Sequence, residues 1–165
     1  MSSVCIDTHV LIWGLKEQSE PSQEEMILKS KRFLKNLEEN GIQIMIPSPA
    51  YAELLMVIPP DLHPLFGNLI SKSFMITPFD AQSASVFAEI WQSKSNVIEE
   101  LKRHPHNTRA MLKADCMIVS IAVARNAMCI YSEDEGVKKF AEGFIEARSI
   151  PAIPEQLTFL VSENE

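Results

Sequence analysis

The sequence predicts an α/β domain of three layers, with a central, mostly parallel sheet of four to five strands flanked by helices. Three observations carry that expectation. Short apolar runs alternate with longer segments of helical period, the pattern of strands joined by right-handed helical crossovers. The runs at residues 4–6, 42–46 and 128–131 are largely apolar rather than alternating, as in strands buried on both faces. Acids arrive where strands give way to helices, at Asp7 and at Ser132-Glu133-Asp134-Glu135. In an open α/β sheet that rim is where ligands bind.

Residues 4–6 read as the central strand, with Asp7 at its C-terminal edge. Thr8 follows, and residues 9–15 predict a short helix. After a polar segment at 16–25, Met26, Ile27, Phe33, Leu34 and Leu37 form the apolar stripe of a helix of about 15 residues. Asn40-Gly41 is its stop. Residues 42–46 make the second strand, ended by Pro47. Ser48 then reads as an N-cap and Pro49 as the first helical residue, because proline lacks only a donor that would be free there. That helix runs to Ile58, carries Glu53 about one turn in, and stops at Pro59-Pro60.

Residues 61–69 predict another short helix and residues 73–76 a third short strand. Pro78-Phe79-Asp80 opens a long helical pattern from Ala81 to about Leu101, with Ala84, Phe87, Ala88 and Trp91 on one face. His104-Pro105-His106-Asn107 breaks it. From Lys113 a further helix begins, with Asp115 near its first turn and an apolar stretch at 116–124 that suits burial on most faces. Arg125-Asn126 ends it. The fourth strand follows at 128–131, then another helix, then an edge strand at 144–147. Residues 1–150 form a single domain. Residues 151–165 read as a partly disordered tail with two prolines and an acidic end.

Composition narrows the function. The 165 residues are 46% hydrophobic, enough for one domain with a proper core. A net charge of −7 argues against a passive, sequence-independent nucleic-acid binder. It leaves room for an enzyme that meets nucleic acid through metal ions. Cys5, Cys116 and Cys129 are odd in number, lack CxxC spacing and lie in apolar runs, so buried reduced thiols are expected. No apolar run approaches the roughly 18 residues of a membrane span, and no basic-then-apolar leader pattern opens the chain. A cytoplasmic protein is expected.

Four acids are expected at one rim: Asp7 after the first strand, Glu53 early in the helix after the second, Asp115 early in the helix before the fourth, and Asp134 just after the fourth. Four carboxylates in one pocket repel and raise one another's pKa unless something positive sits among them. A hard divalent cation, Mg²⁺ or Mn²⁺, suits oxygen ligands. Such ions activate water and stabilise charge on a phosphodiester, and a pair of them about 4 Å apart would clamp the attacking and leaving oxygens.

Four motifs then stand in order: Val4-Cys5-Ile6-Asp7-Thr8-His9-Val10-Leu11-Ile12-Trp13, the stretch from Ser48 to Glu53, Asp115 with Ile118 and Ala122, and Tyr131-Ser132-Glu133-Asp134 leading to Phe140. They resemble the opening D-T-N/S-x-L-I, the glutamate-bearing helix, the D-x-x-I-x-x-x-A and the T-x-D of the PIN-domain nucleases, the fold of VapC-type toxins. His9 stands where that family usually has a small polar residue, and Glu133 where Asn or Asp is commoner. The resemblance implies Mg²⁺ or Mn²⁺ at Asp7, Glu53, Asp115 and Asp134, and cleavage of single-stranded RNA. It also implies pairing with an antitoxin protein and dimerisation.

Each acid has a plainer reading. Asp7 could cap a helix, Asp115 could favour a helix N-terminus, Glu53 could be a solvated residue, and Asp134 could cap the helix after it. Glu133 and Glu135 read as solvated. Ser132 could bond a ligand carboxylate or a phosphate, or cap a turn. His104 and His106 lack further ligands and read as an exposed loop. Arg109 and Lys113, in a basic run before Asp115, are expected to hold RNA backbone. Trp13 and Trp91 read as core or interface residues, and Trp and Met on amphipathic helices suit a homodimer. Two other functions compete: a catalytically silent module that binds a partner protein, and a haloacid-dehalogenase-type phosphatase. The phosphatase needs D-x-D after the first strand, and Asp7-Thr8-His9 lacks the second acid.

Overall fold

The computed structural model describes residues 2–154. Ser3–Ile6 (β1), Gln43–Pro47 (β2), Phe74–Thr77 (β3), Ile130–Tyr131 (β4) and Ala147–Arg148 (β5) pair in the order β3-β2-β1-β4-β5, every pair parallel. β1 is buried along its whole length, as the apolar run Val4-Cys5-Ile6 requires. It sits at the centre of the sheet, so whatever follows Ile6 is flanked by the ends of β2 and β4.

Helices fill the crossovers. Thr8–Leu11 (α1) runs on into a π-helical turn at Ile12–Lys16. Glu25–Glu39 (α2) ends with Asn40 and with Gly41 at φ 66°, a left-handed position that glycine takes without a Cβ clash. Ser48–Met56 (α3) follows β2 directly. Pro60–Leu62 is a single 3₁₀ turn before His63–Ser73 (α4). Ala81–Ser93 (α5), Ser95–Lys102 (α6), Arg109–Ala124 (α7) and Glu135–Ala141 (α8) complete the set. Of these, α7 contributes the most buried residues and packs on α3, α5 and α8. Phe33 of α2 meets Tyr131 of β4 edge to face at 4.5 Å, and Trp91 stacks between Phe87 and Phe140. Burying a side chain such as Phe33 or Phe140 favours folding by about 2–3 kcal/mol.

The expected α/β class and parallel sheet are found, with differences that have physical causes. α7 begins at Arg109 rather than Lys113, because Thr108 caps it by accepting from the Met111 amide at 3.2 Å. Asp115 therefore lies two turns inside the helix, too deep to be a response to its N-terminal dipole. The long helix expected from Ala81 to Leu101 is broken at Lys94, whose ψ is 26° and whose Nζ donates to the Lys139 carbonyl at 2.9 Å. Ser48 is not the N-cap of α3. Pro47 holds that position, and the Ser48 hydroxyl instead accepts from the Phe79 amide at 3.1 Å. The edge strand is Ala147–Arg148 rather than 144–147.

Glu133 is half-buried rather than solvated. It accepts from the Ile150 amide at 2.8 Å and lies 3.6 Å from the Lys138 ammonium. Residues 151–154 follow the fully buried Ile150, and Ile153 packs against the core. The rest of the expected tail, 155–165, lies outside the described residues. The three cysteines are buried and unpaired. Burial pushes their thiols up, Cys116 to about 12, so they are poor nucleophiles. Among the described residues, no helix is long and apolar enough to cross a membrane.

Candidate active site

Asp7 is the first residue past β1, in extended backbone, and is 3% exposed. One carboxylate oxygen accepts from the Thr8 amide at 2.6 Å, capping α1. The other accepts from the Ser132 hydroxyl at 2.6 Å. That contact follows from register: Ile6 pairs with Tyr131, so the residues after each strand land side by side. Ser132 is fully buried, and its oxygen also accepts from the Asp134 amide at 2.9 Å. On the other side of β1, the Thr8 hydroxyl donates to Glu53 of α3 at 2.6 Å. This holds the otherwise exposed Glu53 against the same rim.

Asp134 does what its plainer reading predicted: it caps α8 through the Val137 amide at 3.0 Å. It also faces Asp115. A methyl group placed on Gly136 would stand 2.5 Å from Asp115 Oδ2 and 3.0 Å from Asp134 Oδ1. The two carboxylates therefore close over the first turn of α8, at a point that only glycine leaves open.

The electrostatics follow from this placement. Burial pushes Asp7 above the ordinary carboxylate range and Asp134 adds to the rise, while bonds from Ser132 and Thr8 and the nearby His9 pull it back. Asp115 is pushed up to about 8, first by burial and then by the charges of Asp134, Asp7 and Glu53. No cation is among the groups acting on Asp115. Three acids thus act on Asp115 with no basic side chain answering it. The four acids offer oxygen donors, the set a hard divalent cation takes. Among the described residues, no three His, Cys, Asp or Glu side chains stand close enough to hold an ion as placed.

The sequence matches the model of the PIN domain over residues 4–143. The chain belongs to the PIN-domain family. Solved structures share the fold, two of them VapBC complexes. A chain of the DNA-bound VapBC complex from Salmonella typhimurium has a TM-score of 0.58 and 16% identity, over 92% of this chain and 100% of that one. A chain of the VapBC2 complex from Rickettsia felis, bound to a DNA fragment from its promoter, has a TM-score of 0.60 and 15% identity, over 89% and 98%. No curated protein matches the sequence.

Within this PIN domain, Asp7 is joined to Ser132 and Thr8 to Glu53 by hydrogen bonds, and the charges of Asp134, Asp7 and Glu53 all act on Asp115. Arg109 and Lys113 do not join them. Both are exposed on α7, and at about 100° per residue Lys113 sits about 160° around the helix from Asp115. Two neighbours of the acids went unread in the sequence. The Thr8 bond to Glu53 had a faint signal in the hydroxyl beside Asp7, but no signal linked it to α3. Gly136 had none, because its importance is the space it leaves. Gly136→Ala should force the Asp115 carboxylate away and lower any metal-dependent activity by about 10²-fold, the cost of a small misplacement. Mn²⁺ titration of the variant against wild type would measure it.

Proposed function

We propose that this PIN domain is a metal-dependent endoribonuclease that cuts single-stranded RNA, and that it serves as the toxin of a toxin–antitoxin pair. The crowding of Asp115 by the charges of Asp134, Asp7 and Glu53, with no cation answering it, supports the first part most. Membership of the PIN family and the likeness to chains of VapBC complexes support the second.

Asp7, Glu53, Asp115 and Asp134 would hold Mg²⁺ or Mn²⁺. A divalent ion there supplies an activated water at neutral pH and offsets charge developing on the phosphodiester. The chain's own residues hold the ligands still. Thr8 and Ser132 fix both oxygens of Asp7, Thr8 fixes Glu53, and the α8 cap fixes Asp134. With its hydroxyl committed to Asp7 and to the Asp134 amide, Ser132 acts as a positioning residue rather than a phosphate contact.

Incubation with mixed single-stranded RNA tests the reading. Cleavage should require Mn²⁺ or Mg²⁺, stop on adding EDTA, and leave 5′-phosphate and 3′-hydroxyl ends. Cleavage that persists in EDTA refutes it. Arg109 and Lys113 would serve as outer contacts to a strand leaving the acids past the start of α7. Replacing both with alanine should reduce the salt slope of kcat/KM by about 1.4, two single-strand phosphate contacts. An unchanged slope removes them from the interface.

A homodimer is part of the proposal, but its surface is not the tryptophans. Trp13 is buried, and Trp91 is stacked on the core. Met56, Leu62, Leu65 and Leu69 are the exposed apolar residues suited to it, from the end of α3 through α4.

A further inference from the structure

His9 is the second residue of α1, two positions past Asp7, and it is exposed. Trp13 stands about one turn on, at the i+4 position that shares its face. Their ring centroids lie 5.8 Å apart at a tilt of 42°. Trp13 is buried, so it supports the histidine ring from within while that ring meets solvent.

The chain then turns beside this pair. The π-helical turn at Ile12–Lys16 lies close against α2, where a Cβ on Gly14 would stand 2.6 Å from Leu34 Cδ1. Glu17 follows at φ 58°, and its 2.6 Å bridge to Lys31 ties the exit of the turn to α2. The Gln23 amide donates to the Glu20 carbonyl at 2.9 Å and closes a tight turn. Here lies a pocket of about 630 Å³, inside the roughly 300–1,000 Å³ typical of small-ligand sites. His9, Ile12 and Trp13 line it from the helix, and Gln18, Glu20 and Gln23 from the turn.

That lining suits one kind of ligand. Among its described residues there is no lysine or arginine, and Glu20 is one of them, so a phosphate would meet repulsion rather than a partner. The carboxamides of Gln18 and Gln23 each offer donors and an acceptor. A flat, uncharged ring with polar edges fits both halves, its face on the imidazole and its edge on the amides. Ionised Glu20 accepts hydrogen bonds and donates none. It therefore favours a base with an exocyclic amino group over uracil, which offers two carbonyls.

We propose that this pocket holds one unpaired nucleobase of a single-stranded RNA, stacked on His9, with adenine, guanine or cytosine preferred to uracil. The proposal rests on the nuclease reading for the strand that delivers the base. With a phosphodiester at the acids, a neighbouring base would arrive beside His9, two residues from Asp7.

The full chain without metal is titrated with adenosine, guanosine, cytidine and uridine at millimolar concentration, and the side-chain signals of His9 and Trp13 are followed by NMR. The first three nucleosides should move both signals, and uridine should bind at least about fivefold more weakly. His9→Ala should weaken nucleoside binding by about fivefold or more, and His9→Phe, which keeps a ring, should restore most of it. Gln18→Ala with Gln23→Ala should weaken it without disturbing the stacked pair. In Mn²⁺-dependent cleavage of single-stranded RNA, the loss in His9→Ala should fall on KM rather than kcat. Signals unmoved by all four nucleosides, or equal binding by His9→Ala, would overturn the proposal. Nucleoside binding by a chain that cleaves no RNA would sustain the pocket and sink the nuclease reading. Cleavage by a chain that binds no nucleoside would do the reverse.

Discussion

Replacing Asp7 with asparagine is expected to leave the chain folded and to remove metal-dependent RNA cleavage. The side chain keeps its size and an oxygen for the Thr8 amide. Ser132 loses its acceptor on the second oxygen, a change on the order of 1 kcal/mol. Set against that, a buried charge repelled by Asp134 disappears. Melting temperature without metal should therefore stay level or rise. Activity should not survive. Loss of a group that merely orients a metal ligand costs about 10–100-fold, and Asp7 is proposed as a ligand itself, so the loss should exceed about 100-fold. Circular dichroism and a Mn²⁺-dependent cleavage assay on the same preparation separate the two effects. A folded Asp7→Asn variant that cleaves at wild-type rate would remove Asp7 from the chemistry.

The metal-free protein should lose stability as pH rises. Asp115 titrates near 8 in the folded chain against an ordinary 3.8, so the native state holds its proton more tightly than the unfolded chain. Its contribution is complete below about pH 4 and is lost progressively as pH rises through about 8. Asp7 is shifted in the same direction. The loss by pH 8 should be on the order of a few kcal/mol, enough to lower Tm by several degrees. Millimolar Mn²⁺ should offset it most at high pH, because the ion binds the deprotonated native form. Melting curves from pH 5 to 9 in EDTA and in Mn²⁺ would show this. A metal-free Tm that rises across the interval would mean the acids are not crowded as described.

The sheet and the acids differ in how well the sequence revealed them. Asp7 was legible because an unbroken apolar strand closed by a carboxylate has few structural explanations. Ser132 and Asp134 were legible because they follow the strand beside it. The start of α7 was misread. The proline-broken segment at 104–107 and the basic residues after it resemble a loop, and Thr108 as a cap went unweighted. The break at Lys94 has no glycine or proline to announce it; a contact with the Lys139 carbonyl, 45 positions away, marks it instead. Glu133 looked solvated because its partner, the Ile150 amide, lies 17 residues on. Local pattern therefore located the elements, and the misreadings came from long-range partners and from an unweighted cap.

One hydrogen bond sets when the acid site can exist at all. Ser132 and Asp7 are 125 positions apart, and both flank the β1–β4 pairing at the middle of the sheet. The first 114 residues carry only Asp7 and Glu53 of the four acids. The remaining acids, and the hydroxyl that locks Asp7, are made only from residue 115 onward. If the domain cuts RNA as proposed, a nascent chain should therefore be inert until residues 115–134 have emerged and docked beside β1.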